Sequence, residues 1–116
     1  MARDEGFAEY ITEDVLGHID GISRKVLFSG YGIYLDGVIV GIIIDGTFYT
    51  KTNKELMEKY KKEDCEPFQY DRLDGKIVTM PYVSVPLEVL EDREKISDRI
   101  YESFNLSQKP KSKPKK

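Results

Sequence analysis

The sequence predicts an α+β fold of two layers, an antiparallel β-sheet with helices in the order α-β-β-β-α-β-β-α, and three observations carry that prediction. Most of the continuous apolar sequence lies between Val26 and Gly46, where β-branched and aromatic residues come in short runs. Those runs are punctuated by Gly30-Tyr31-Gly32, Asp36-Gly37 and Asp45-Gly46, the last two being strong hairpin dipeptides, so a meander of antiparallel strands is expected. On either side of this block the chain is amphipathic or polar, as helices with one dry face are.

From Asp4 to Asp20, Phe7, Tyr10, Ile11, Val15, Leu16, His18 and Ile19 fall near the i, i+3, i+4, i+7 pattern, with Glu5, Glu9, Glu13 and Asp14 elsewhere. This spacing predicts an amphipathic helix packed on the sheet, with Gly21 as its stop. Ser23 to Phe28 and Ile33 to Asp36 are predicted as the first hairpin, joined by Gly30-Tyr31-Gly32 as a turn with positive backbone angles. The run Val38 to Ile44 does not alternate, so both faces of that strand are apolar and something must cover each. Thr47 to Thr52 alternates Phe48, Thr50 and Thr52 against Thr47, Tyr49 and Lys51, and reads as a third, more polar strand nearer an edge. Asn53 is a good N-cap for a helix over Lys54 to Glu63, with Leu56, Met57 and Tyr60 on one side. Asp64-Cys65-Glu66-Pro67 breaks that helix, because proline biases the residue before it towards extended backbone. Phe68 to Arg72 and Ile77 to Val85 then flank Leu73-Asp74-Gly75-Lys76 as a second hairpin, in which Pro81 belongs at an edge or a bulge. From Pro86 the chain turns helical through Phe104, with Val89, Leu90, Ile96, Ile100, Tyr101 and Phe104 as the apolar side and Asp92 as a possible new N-cap dividing it in two.

The 116 residues are one domain's worth of chain. Residues 1–106 are expected to fold and 107–116 to form a disordered Lys/Pro-rich tail, since that segment has no apolar residue with which to offset its ordering entropy. The net charge of -3 hides an asymmetry: five of the 18 basic residues lie in 109–116, so residues 1–108 hold 13 basic groups against 21 acidic, a net of -8. No stretch is apolar enough for a membrane span or a signal core, and a lone Cys65 suits a reducing compartment, so a cytoplasmic protein is expected.

Residues that could carry chemistry mostly read as structure. Gly30-Tyr31-Gly32 lacks the third glycine and the following helix of a dinucleotide site, and the spacing of a phosphate loop. Cys65 has no cationic neighbour within two residues to activate its thiol, and His18, the single histidine, is distant in sequence. Asp36, Asp45, Asp71 and Asp74 sit beside hairpin turns, where aspartate serves the turn itself. No catalytic residue, metal ligand or cofactor is therefore assigned. An enzyme or small-ligand binder, with Tyr31, Tyr34, Tyr49, Tyr70 and Tyr82 as pocket walls, is the lesser alternative. Weak, salt-sensitive nucleic-acid contact through Lys109, Lys111, Lys113, Lys115 and Lys116 is another, which removal of 109–116 would abolish.

Four blocks together carry a resemblance: Phe28 to Gly37 (Phe-Ser-Gly-Tyr-Gly-Ile-Tyr-Leu-Asp-Gly), Ile44 to Lys51 (Ile-Asp-Gly-Thr-Phe-Tyr-Thr-Lys), Glu66 to Tyr70 (Glu-Pro-Phe-Gln-Tyr), and Met80 to Pro86 (Met-Pro-Tyr-Val-Ser-Val-Pro) followed by Leu90 to Asp92. In order and spacing they resemble the N-terminal domain of the TfoX (Sxy) family of bacterial competence regulators, over roughly residues 8 to 104. The resemblance implies a two-layer α+β fold with an antiparallel sheet, commonly a dimer, and a link to transcriptional activation of DNA-uptake genes. The helical C-terminal domain of longer family members is not matched, so no DNA role of that domain carries over, and the family offers no catalytic residues to transfer.

A dimer has its own physical argument. With helices on one sheet face, alternate residues of Val38 to Ile44 point to the other, and an apolar patch there invites cover. Ile39, Gly41 and Ile43 are the candidate interface set; Val38, Val40, Ile42 and Ile44 form the alternate one. The function expected is that of a non-enzymatic interaction module, a stand-alone TfoX-like domain and homodimer that meets a protein partner, such as transcription machinery, in regulating transcription or competence.

Overall fold

The structure, a computed structural model, describes residues 5–27, 30–63 and 65–107. Six strands form one antiparallel sheet in the order β1-β2-β3-β4-β6-β5. They are β1 (Ile22–Leu27), β2 (Gly30–Leu35), β3 (Val38–Ile44), β4 (Thr47–Lys51), β5 (Pro67–Asp71) and β6 (Ile77–Ser84). Strands β2 to β4 form a meander through two tight turns. Asp36 and Gly37 have φ of 51° and 82°, and Asp45 and Gly46 have 50° and 73°. Two consecutive residues in the left-handed region suit the right-handed twist of the flanking strands, and Asp-Gly adopts them at least strain.

The helices are α1 (Glu5–Glu9), which runs on as a π-helical stretch (Tyr10–Val15), α2 (Lys54–Lys61), α3 (Leu87–Leu90) and α4 (Arg93–Ser107). Asn53 caps α2 by accepting a hydrogen bond from the Leu56 amide at 2.9 Å. Asp92 caps α4 likewise, accepting from the Glu94 and Lys95 amides at 3.1 Å each. α1 and α4 cover one sheet face, where Ile11, Leu16, Ile33, Val40, Ile43, Phe48, Ile96 and Ile100 make the main core. α2 adds a smaller cluster on the same side, in which Tyr60 and Cys65 pack with Val83. Two polar side chains tie α4 down: Ser103 donates to the Lys51 carbonyl at 2.7 Å, and Arg99 reaches Thr50 and Ser84. The expected two layers are these helices and this sheet.

Several expectations are corrected. Four strands precede α2, not three, because Asp36-Gly37 folds Ile33 to Leu35 and Val38 to Ile44 back on each other as separate strands. β4 is not near an edge: β6 pairs with it at Tyr49↔Ser84, Thr50↔Val83 and Lys51↔Tyr82, placing it inside the sheet. Gly30-Tyr31-Gly32 is no turn but the start of β2, paired with β1 and β3. A Cβ on Gly30 would lie 1.8 Å from the Ile43 carbonyl oxygen, so that glycine serves close backbone approach. The first helix is shorter than Asp4 to Asp20 and ends at Val15, with Gly21 (φ 93°) at the entry to β1. Pro81 does lie at an irregularity, since Pro67 pairs with Val83 and Gln69 with Thr79, leaving extra residues on β6 between them.

Candidate functional site

The three residues expected to share an interface do not share a face. Ile33 pairs with Gly41 and Tyr34 with Ile39, so Val40 is an inserted residue that breaks the alternation of β3. Beyond it, Ile43 is 1% exposed in the core under the helices. Gly41 lies against the Phe48 ring of that same core. Ile39 belongs to a second apolar cluster with Ile42, Ile44 and Tyr82, packed with Leu27, Tyr49, Phe68 and Met80. Every member of this cluster is a strand residue, so it marks the sheet face without helices.

That face is not a bare sheet in water. Ile42, Ile44 and Tyr82 are already buried. Aromatic rings crowd them: Tyr49 meets Phe68 edge-on at 5.2 Å between centroids, and Phe68 stacks on Tyr70 at 6.2 Å. Lys25 lies 5.2 Å from the Tyr34 ring centre. Burial pushes the phenols of Tyr82 and Tyr49 above their usual range; for Tyr82 the neighbouring Tyr34 adds to the effect, and for Tyr49 a hydrogen bond with Thr47 opposes it. Of the tyrosines read as pocket walls, Tyr34, Tyr49 and Tyr82 are on or beside this face, whereas Tyr31 packs among the helices.

The aromatic row leads outward to the β5–β6 hairpin. β4 ends at Lys51 opposite Tyr82, so β6 from Ile77 to Met80 is paired with β5 alone, and the two strands project as a ribbon. On this ribbon Leu73 is 109% exposed, Ile77 64% and Tyr70 45%, the greatest concentration of exposed large apolar side chains among the described residues. Its tip is held by local bonds. Arg72 donates its amide to the Lys76 carbonyl at 2.7 Å, the Lys76 amide donates to Asp74 Oδ1 at 3.1 Å, and Arg72 and Asp74 pair at 3.2 Å. Asp74 thus serves its turn, as Asp36 and Asp45 do. The sequence hints at this surface only through three apolar residues close to a turn.

The remaining candidates are separated. Cys65 is buried between Tyr60 and Val83. His18 lies beside α4, with Nε2 at 2.6 Å from Ser97 Oγ. Among the described residues no three His, Cys, Asp or Glu side chains are grouped to hold a metal ion, and no helix is long and apolar enough to cross a membrane. Lys109, Lys111, Lys113, Lys115 and Lys116 lie outside the described residues.

Comparison with protein families gives a match to the TfoX N-terminal domain over residues 14–106, a span that contains all four sequence blocks. Comparison with curated proteins gives no match.

Proposed function

The chain belongs to the TfoX N-terminal domain family, and from that premise we propose that it is a non-enzymatic, cytoplasmic interaction module that self-associates and serves the regulation of transcription or competence genes. The observation that carries the reading is the projecting β5–β6 ribbon with Tyr70, Leu73 and Ile77 in solvent. A two-stranded ribbon is marginal in water by itself, and on the face that Tyr70 shares with Val78 and Phe68 it leaves an apolar patch of the kind that marks contact sites, while Ile77, opposite Asp71, points to the other face. The row Tyr70, Phe68, Tyr49 connects that patch to the helix-free face. A second copy laid with its ribbon across the same row, related by a two-fold axis, covers both patches at once.

The set Ile39, Gly41 and Ile43 gives a poor test, because lysine at Ile43 would enter the core under the helices and unfold the chain. Leu73→Lys with Tyr70→Lys changes only exposed positions, Tyr70 being on the face of the aromatic row. Light scattering over a range of protein concentration is expected to give twice the 13.4 kDa chain mass for the parent and the single mass for the double variant. A parent that stays at the single mass, or a dimer indifferent to both lysines, overturns the assignment.

A further inference from the structure

We infer that the cleft between α2 and α4 binds the oxyanion group, carboxylate or phosphate, of a small molecule, with Arg99 as its principal partner. The inference is independent of self-association through the ribbon.

Arg99 is 6% exposed, yet no carboxylate among the described residues pairs with it. Its Nη2 donates to Thr50 Oγ1 at 2.9 Å and to the Ser84 carbonyl at 3.2 Å, both neutral acceptors. Its guanidinium lies over the Tyr60 ring, 4.0 Å from the centroid. Its Nε is sealed from solvent without a hydrogen-bond partner. Nη1 makes no bond to the described residues either, and it remains the donor available to the cleft of about 210 Å³ that Arg99 lines. Buried charges are ordinarily paired, because removing an ion from water costs more than neutral dipoles return. A cation fixed in this way, with one amino group left over beside a cleft, is arranged for an anion that comes from outside the chain.

Glu102, an acid of the same cleft, does not fill that role. Glu102 accepts the Tyr60 hydroxyl proton through Oε1, and Lys59 approaches its Oε2 at 3.6 Å. Tyr60 is therefore held by Glu102 while its ring supports Arg99, which makes Glu102 and Tyr60 positioning residues. Lys95, on the exposed side of α4, adds a second positive charge to the rim. Glu63 and Asp98 line the same cleft, and neither is ion-paired among the described residues. Their charge repels a nucleic acid or a polyphosphate, so the ligand is small and carries a single oxyanion group.

The test is a titration of amide NMR shifts in the full chain with sodium acetate, inorganic phosphate and, as the neutral isostere of acetate, acetamide, at constant ionic strength. Saturable shifts at residues 59–60 and 95–102 with acetate or phosphate, and none with acetamide, are expected. The tighter of the two anions identifies a carboxylate or a phosphate ligand. Arg99→Lys, which keeps the charge and loses the fork, weakens binding about tenfold, the loss of one charged hydrogen bond. Should that variant not fold, Lys95→Ala, an exposed change, decides by a smaller weakening of about two- to fivefold, with Lys76→Ala on the ribbon as an unaffected control. Shifts that never saturate, acetamide acting as acetate does, or Lys95→Ala binding like the parent would each overturn the inference.

Discussion

Replacing Gly41 with alanine sets two effects of opposite sign against each other. Glycine within a strand costs about 0.5–1 kcal/mol relative to alanine, because the unfolded chain surrenders more freedom there. By that measure Gly41→Ala should stabilise. The space around Gly41 says otherwise: its Cβ would stand 2.6 Å from the Tyr49 carbonyl oxygen and 2.8 Å from Phe48 Cε1. The carbonyl belongs to β4, which faces Gly41 across the Gly41↔Thr50 pair, and cannot retreat without loosening that ladder. The ring cannot retreat either, since Phe48 is fully buried under the helices. Overpacking of this kind costs about 1–3 kcal/mol, so the net effect is a loss of about 1–2 kcal/mol. Urea unfolding followed by circular dichroism should show the midpoint lowered by roughly 0.5–1 M with an unchanged slope. A midpoint equal to the parent's or higher would refute the reasoning, and would mean that β3 and β4 separate there at little cost.

Asn53→Ala removes the side-chain acceptor of the Leu56 amide and is expected to lower stability by about 1 kcal/mol, with Asn53→Asp near the parent in the same urea assay. Burial first, and then the hydrogen bond to Glu102, hold the Tyr60 phenol well above the usual 10.0. The folded chain therefore keeps a proton that the unfolded chain releases, so this contribution is whole below pH 10 and is lost as pH rises beyond it. Between about pH 9 and 11 the urea midpoint of the parent should fall more steeply than that of Tyr60→Phe, which has nothing to ionise there; parallel profiles would contradict the assignment.

Legibility in the sequence tracks the range of each interaction. The Asp36-Gly37 and Asp45-Gly46 turns and the Asn53 and Asp92 caps are readable because each is decided within four residues, by backbone angles and a side chain that reaches its own helix. Gly30 reads as a turn residue for the same local reason, and is not one. What requires glycine there is the Ile43 carbonyl of the adjoining strand, which no neighbour in sequence announces. The candidate interface fails to hold together on one face through a single inserted residue, Val40, since one extra residue in a strand sends every later one to the other side. Arg99 does leave a trace: it lies three residues after Ile96 and beside Ile100, on the dry side of its helix, but a charge at such a spacing is usually taken for a solvated one.

The sequence by itself determined the class of fold, the family, the two Asp-Gly turns of the meander and the capped starts of α2 and α4, because propensity, turn chemistry and periodicity act over a few residues. Tertiary structure alone decided that β6 pairs with β4 and makes it an inner strand, that the outer part of the β5–β6 hairpin runs on past the end of β4 with Leu73 in water, and that Arg99 is buried without a counter-charge among the described residues. Each of those depends on which distant segments meet. That is settled by the sum of burial over the whole core, in which any one residue's preference is a small contribution.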